Sequence, residues 1–119
     1  MRQAGRYLPE YRTIRDRMSF LELCKNSEAA CEVTCQPVEI LGVDAAILFA
    51  DILLVLEPLG LGLSFASGDG PALARPLRSA EQIRALPHVD VADSLSFVFE
   101  TVRQVRARLA GRVPLIGFA

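Results

Sequence analysis

The chain has 119 residues, and hydrophobic residues make up 51% of it against 23% charged. That composition buries a core and excludes intrinsic disorder, and the length fits one ordinary domain. Thirteen Lys and Arg stand against 14 Asp and Glu, a net charge of −1, which excludes a strongly basic nucleic-acid binder. No run reaches the roughly 18 uncharged apolar residues of a membrane span.

Residues 1–18 hold five arginines (Arg2, Arg6, Arg12, Arg15, Arg17) around Gly5 and Pro9. They show no clean period and read as an arginine-rich loop, either a solvated basic end or a site for an acidic small molecule. Nothing apolar follows these charges as a secretory signal would require. With an odd count of three Cys, the reading points to the cytoplasm. Ser19–Glu22 is a capping-box pattern that predicts a short helix to about Lys25. Ser27 is then expected to cap a longer helix whose apolar face includes Val33, Ile40 and Leu41. Pro37 should kink or shorten it, and Gly42 should stop it.

Residues 45–50 form a continuous apolar run of strand length. Such a run predicts a parallel strand covered on both faces. Residues 59–75 carry four glycines and the turn signal Ser67-Gly-Asp-Gly70, so a β-hairpin excursion is expected there. A second capping box at Ser79–Gln82 opens a short helix that stops before Pro87. Residues 91–110 then show a strong helical period, with Leu95, Val98, Phe99, Val102, Val105 and Leu109 on one stripe. Gly111 closes it, and residues 114–118 read as a second buried strand. Two parallel strands joined by a helical crossover form a βαβ unit, which alone does not cover both faces of a sheet. The chain is therefore expected to be a piece of a larger α/β domain.

Asp51 ends the first buried strand, where ligands gather in α/β folds. A carboxylate there is kept when something pairs with it: a ligand N–H, a cationic transition state, or simply a helix cap or internal salt bridge. Arg2 and Arg6 around Gly5 could clamp carboxylates. Cys24, Cys31 and Cys35 lack the tight pairs and the fourth ligand of structural zinc, and read as core. His88, in a loop, reads as solvated, and Gly68 and Gly70 form no phosphate loop.

The segment Met1-Arg-Gln-Ala-Gly-Arg-Tyr-Leu-Pro-Glu-Tyr-Arg12 closely resembles the N-terminal signature of the uroporphyrinogen decarboxylase family, enzymes of the haem pathway. Residues 44–54 (DAAILFADILL) resemble that family's second strand and its aspartate. Gly70-Pro71, Pro76-Leu77-Arg78 and residues 109–119 (LAGRVPLIGFA) match in the expected order, so the resemblance covers the whole chain. It implies an α/β fold, the N-terminal portion of a (β/α)8 TIM barrel with a β-hairpin excursion after the second barrel strand. It implies decarboxylation of the four acetates of uroporphyrinogen, an anionic tetrapyrrole, to coproporphyrinogen by a cytoplasmic homodimer, with no cofactor, metal, nucleic acid or membrane.

On matching positions, Arg2, Arg6 and Arg15 would bind substrate carboxylates. Gln3, Ala4 and Gly5 would shape that wall, and Phe118 would line the cleft. Asp51 would be catalytic, accepting hydrogen bonds from pyrrole N–H groups. A complete barrel needs roughly 250 residues, so this chain alone is expected to be inactive. The rival readings are a truncated, non-catalytic piece and the related cobalamin or thiol methyltransferase barrels, which lack the Arg-Gln-Ala-Gly-Arg signature.

Overall fold

A computed structural model describes residues 4–66 and 70–117. Two compact units emerge: Met1–Asp51 with Phe97–Ala119, and Ile52–Ser96.

The first unit begins with a 3-10 turn, Ala4–Tyr7, and helix α1, Pro9–Arg15. The loop expected over residues 1–18 is thus corrected. Pro9 sits at the helix start, where its missing N–H is no loss and its fixed φ suits the first turn. Glu10 in the first turn and Arg12 and Arg15 in the last match the helix dipole. Buried Leu8 anchors the entry.

Helix α2, Phe20–Lys25, opens with the expected capping box. The Glu22 amide donates to Ser19 Oγ at 3.3 Å, and the Ser19 amide donates to Glu22 Oε2 at 2.7 Å. That backbone donor, with the Ser19 hydroxyl, holds the Glu22 carboxyl below its ordinary pKa. Helix α3, Ser27–Leu41, is capped by Asn26 and not by Ser27: the Ala29 amide donates to Asn26 Oδ1 at 3.0 Å. It runs through Pro37 to Leu41, so the proline does not end it early. Gly42 ends it in the left-handed region, φ 65°. Ile40 and Leu41 are exposed, not core as expected. Ile40 lies half a turn round from Cys31 at 3.6 residues per turn, and the core takes Ala30, Cys31, Val33 and Cys35.

The apolar run yields strand β1, Ala46–Ile47. It pairs in parallel with the chain's last strand, Leu115–Ile116, in the register Ala46 to Leu115 and Ile47 to Ile116. The amides of Ala46 and Leu48 donate to Pro114 O and Ile116 O, each at 2.9 Å. The parallel pairing is as expected, but the ladder is shorter than residues 45–50. The later strand is not buried on both faces: Ile116 is 48% exposed, and no strand lies beyond it among the described residues.

Between these strands, the second unit carries a 3-10 turn, Ile52–Leu56, then β2, Leu63–Ala66, and β3, Gly70–Leu73. These two pair antiparallel, Leu63 opposite Leu73 and Ala66 opposite Gly70. The turn signal at 67–69 lies outside the described residues. Helix α4, Ala80–Arg84, has its expected capping box from Ser79 and Gln82 and stops short of Pro87. The single helix expected over 91–110 is two: α5, Val91–Ser94, capped by Asp90, and α6, Ser96–Leu109. Leu95 breaks it at φ −113°, ψ 25° with neither proline nor glycine, and nothing in the local sequence explains why. Ala110 and Gly111, both at positive φ, close α6. The final strand is β4, Leu115–Ile116.

Cys31 and Cys35 of α3, Ala46 and Leu48 around β1, and Val105 and Leu109 of α6 form one buried cluster. Burying side chains of this size contributes about 1.5–3 kcal/mol each for the larger ones. Phe99, expected on the stripe, is 46% exposed, while Thr101 is buried in its place.

Candidate functional site

Asp51 follows β1 by way of Leu48, Phe49 and Ala50. It is half-buried, whereas Leu48 and Phe49 are fully buried. Because β1 and β4 run parallel, the C-terminal ends of both strands lie at one end of the pair, with Asp51 beyond one and Gly117 beyond the other.

Phe49 is held by three helices. Its ring meets Phe20 of α2 edge-on, centroids 5.6 Å apart, and Tyr11 of α1 at 6.1 Å. Each such pair contributes about 0.5–1.5 kcal/mol beyond area burial. Its amide donates to Thr34 Oγ1 of α3 at 2.9 Å, and the Thr34 hydroxyl donates to Ala30 O at 2.7 Å. Sequence reasoning passed over both residues. The available signal was Thr34 itself, a hydroxyl set within the buried face of a helix.

The arginine-bearing segment shares this scaffold. The 3-10 turn Ala4–Tyr7 packs on α1 and on α3, and α3 also packs on β1. One helix therefore supports both the turn that carries Gly5 and Arg6 and the strand that leads to Asp51. Arg6 is exposed, as are Arg12 and Arg17. Arg15 is half-buried, and its guanidinium donates to Met18 O, closing the turn after α1. Ala4 and Gly5 are placed by their backbone in the 3-10 turn. Arg2, Gln3 and Phe118 lie outside the described residues.

None of the three cysteines is in a disulfide and all three are buried, in accord with their reading as core. Burial, and next the neighbouring Cys31, push the Cys35 thiol up to about 12, so it stays protonated at neutral pH and is no nucleophile there. Among the described residues no group of three or more His, Cys, Asp or Glu is placed to hold a metal ion. His88 is exposed. No helix among the described residues is long and apolar enough to cross a membrane.

Comparison with known proteins identifies the family. A family model described as "Uroporphyrinogen decarboxylase (URO-D)" matches residues 1–119. A uroporphyrinogen decarboxylase of Chloroherpeton thalassium is 53% identical over 119 residues, all of this chain and 34% of the relative. Those of Thioalkalivibrio sulfidiphilus and Legionella pneumophila are 55% and 52% identical over 120 residues, with the same coverage. The chain thus spans about a third of the length of the curated relatives it matches. With a match across every residue and identities above half, the chain belongs to the uroporphyrinogen decarboxylase family.

Proposed function

We propose that this chain supplies the arginine- and aspartate-bearing portion of an enzyme that decarboxylates the four acetates of uroporphyrinogen to give coproporphyrinogen. The observation that carries the reading is the match over the whole chain to relatives bearing that name. In the same reading, β1 and β4 are neighbouring strands of a (β/α)8 barrel, and the β2–β3 ribbon is an excursion after the first of the two. The working enzyme is a cytoplasmic homodimer.

The chemistry suits the residues at hand. Loss of CO2 from an acetate leaves a carbanion that needs an electron sink. Protonation of the adjoining pyrrole supplies that sink within the substrate, so the step asks no cofactor of the protein. Asp51 accepts hydrogen bonds from pyrrole N–H groups and stabilises the cationic ring as it forms. Arg2, Arg6 and Arg15 bind the substrate's carboxylates, for which a guanidinium fork is well shaped. Arg15 Nη1 donates to Met18 O, and its guanidinium has further N–H donors to offer a carboxylate. Gln3, Ala4 and Gly5 form the wall beside the arginines, and Phe118 lines the cleft.

The test is anaerobic conversion of uroporphyrinogen to coproporphyrinogen by the chain and by a version extended to its relatives' full length. The expected result is turnover in the extended protein only, reduced at least about 100-fold by Asp51→Asn. Arg6→Ala should raise KM by about 10-fold, the loss of one charge-assisted contact. No conversion by the folded extended protein would overturn the reading. Near-parental turnover in Asp51→Asn would remove the aspartate from it.

A further inference from the structure

We propose that Thr34 is a positioning residue for Asp51, acting through the backbone amide of Phe49. This rests on the catalytic role proposed for Asp51. A hydroxyl has one hydrogen to give and lone pairs to receive. Thr34 gives its hydrogen to Ala30 O at 2.7 Å, within its own helix, and that bond fixes the rotor. The oxygen so oriented receives the Phe49 amide at 2.9 Å, from a segment 15 residues further along the chain. Thr34 is 1% exposed and Phe49 3%, so water does not compete for either bond.

The Phe49 ring is held at the same time by Tyr11 of α1 and Phe20 of α2. Helices α1, α2 and α3 therefore all grip the one residue that stands two positions before Asp51. Only Ala50 intervenes, and an extended residue spans at most about 3.6 Å, so a displacement of the Phe49 backbone is passed to Asp51 with little room to be absorbed. Catalytic groups tolerate about 0.5 Å of misplacement. The ladder amide of Leu48, bonded to Ile116 O, fixes the strand on the residue before; Phe49 points its amide away from that ladder and toward α3. A valine at position 34 keeps the shape of the side chain and removes the acceptor.

The experiment uses the version extended to the relatives' full length, assayed anaerobically with uroporphyrinogen. Thr34→Val and Thr34→Ser are compared with the parent, each alone and combined with Asp51→Asn. The expected outcome for Thr34→Val is a fall in kcat of about 10- to 100-fold with KM within about 3-fold, since misplacement costs the chemical step. Thr34→Ser, which restores the acceptor, should stay within about 2-fold of the parent. In the Asp51→Asn background, Thr34→Val should cost nothing further, because the group it positions is gone.

A Thr34→Val protein with a lowered melting temperature but parental kcat would overturn the proposal and leave Thr34 a purely structural residue. So would an equal loss in both backgrounds. Parental turnover in Asp51→Asn alone would instead sink the underlying reading, a pattern the single variant reveals by itself. If Thr34→Val does not fold, Thr34→Cys serves. Its larger, weaker acceptor shifts the Phe49 amide, and a kcat equal to the parent's would again overturn the proposal.

Discussion

Cys35 is completely buried in the face of α3 that meets the core, and burial, with Cys31 beside it, pushes its thiol up to about 12. In the unfolded chain the same group ionises near its ordinary value of about 8.5–9. The folded state therefore holds the proton where the unfolded state has released it. The resulting stabilisation is complete below pH ~9 and is lost as the pH rises from there toward about 12. Thermal melts between pH 7 and pH 11 should fall more steeply above pH ~9 for the parent than for Cys35→Ala; equal slopes would contradict this. The alanine protein should also be less stable at neutral pH, by about 1 kcal/mol or more, from the cavity it leaves. Spacing and number had placed the three cysteines in the core, because they fitted no structural zinc site. The same reasoning did not reach Thr34: its hydroxyl on the buried face of α3 is a local signal, but its bond to Phe49 joins distant positions and leaves no local pattern.

Arg108 of α6 ties two turns of α3 together. Its guanidinium donates to both carboxylate oxygens of Glu39, at 2.8 and 2.7 Å, and to Glu32 at 2.5 Å. These carboxylates hold the guanidinium well above its ordinary pKa, so it is charged at every accessible pH. The three side chains are each about a third or more exposed, so solvent and salt screen the cluster. Replacing Arg108 by Met is expected to cost about 1 kcal/mol or less in low salt, and the difference should vanish near 1 M NaCl, as read by urea titration.

At the level of elements, local chemistry was the reliable guide. Both capping boxes, the Gly42 stop and the parallel pairing of the apolar run were legible, because each depends on residues within one turn or on the burial of a single segment. The N-terminal segment misled through Gly5, Pro9 and the lack of a clean period: these suggested a loop, while proline at the first helical position favours a helix start. The break at Leu95 interrupts a continuous period, so no pattern could have revealed it. Ile40 and Phe99 are apolar residues whose angular positions lie off their helices' buried stripes, a matter of phase that a simple tally of apolar residues misses.

Considered as a whole, the first unit is asymmetric. Helices α3 and α6 and strand β1 enclose a core, while β4 has no neighbour but β1 among the described residues. Beside it lies an open groove of about 520 Å³ lined by Leu48, Val102, Leu109, Val113 and Leu115, with Arg106 at its margin. A free strand edge next to apolar surface invites pairing with another chain. The chain by itself is therefore expected to self-associate at micromolar concentration, and Ile116→Lys, which puts a charge at the half-exposed edge, should suppress this in sedimentation velocity. Unchanged sedimentation would show that the edge is not the adhesive surface.

The register of β1 on β4 also imposes an order in time. Ala46 waits for Pro114 and Leu115, near the far end of the chain, and closing so long a loop is entropically slow. The Phe49 amide needs only Thr34, 15 residues away. During refolding, pulse-labelled hydrogen exchange should find Phe49 protected before Ala46 and Leu48. Simultaneous protection would mean that helix and sheet condense in a single event. If the order holds, the segment leading to Asp51 is docked on its helix while the sheet is still unmade, and the final strand arrives at a template already set.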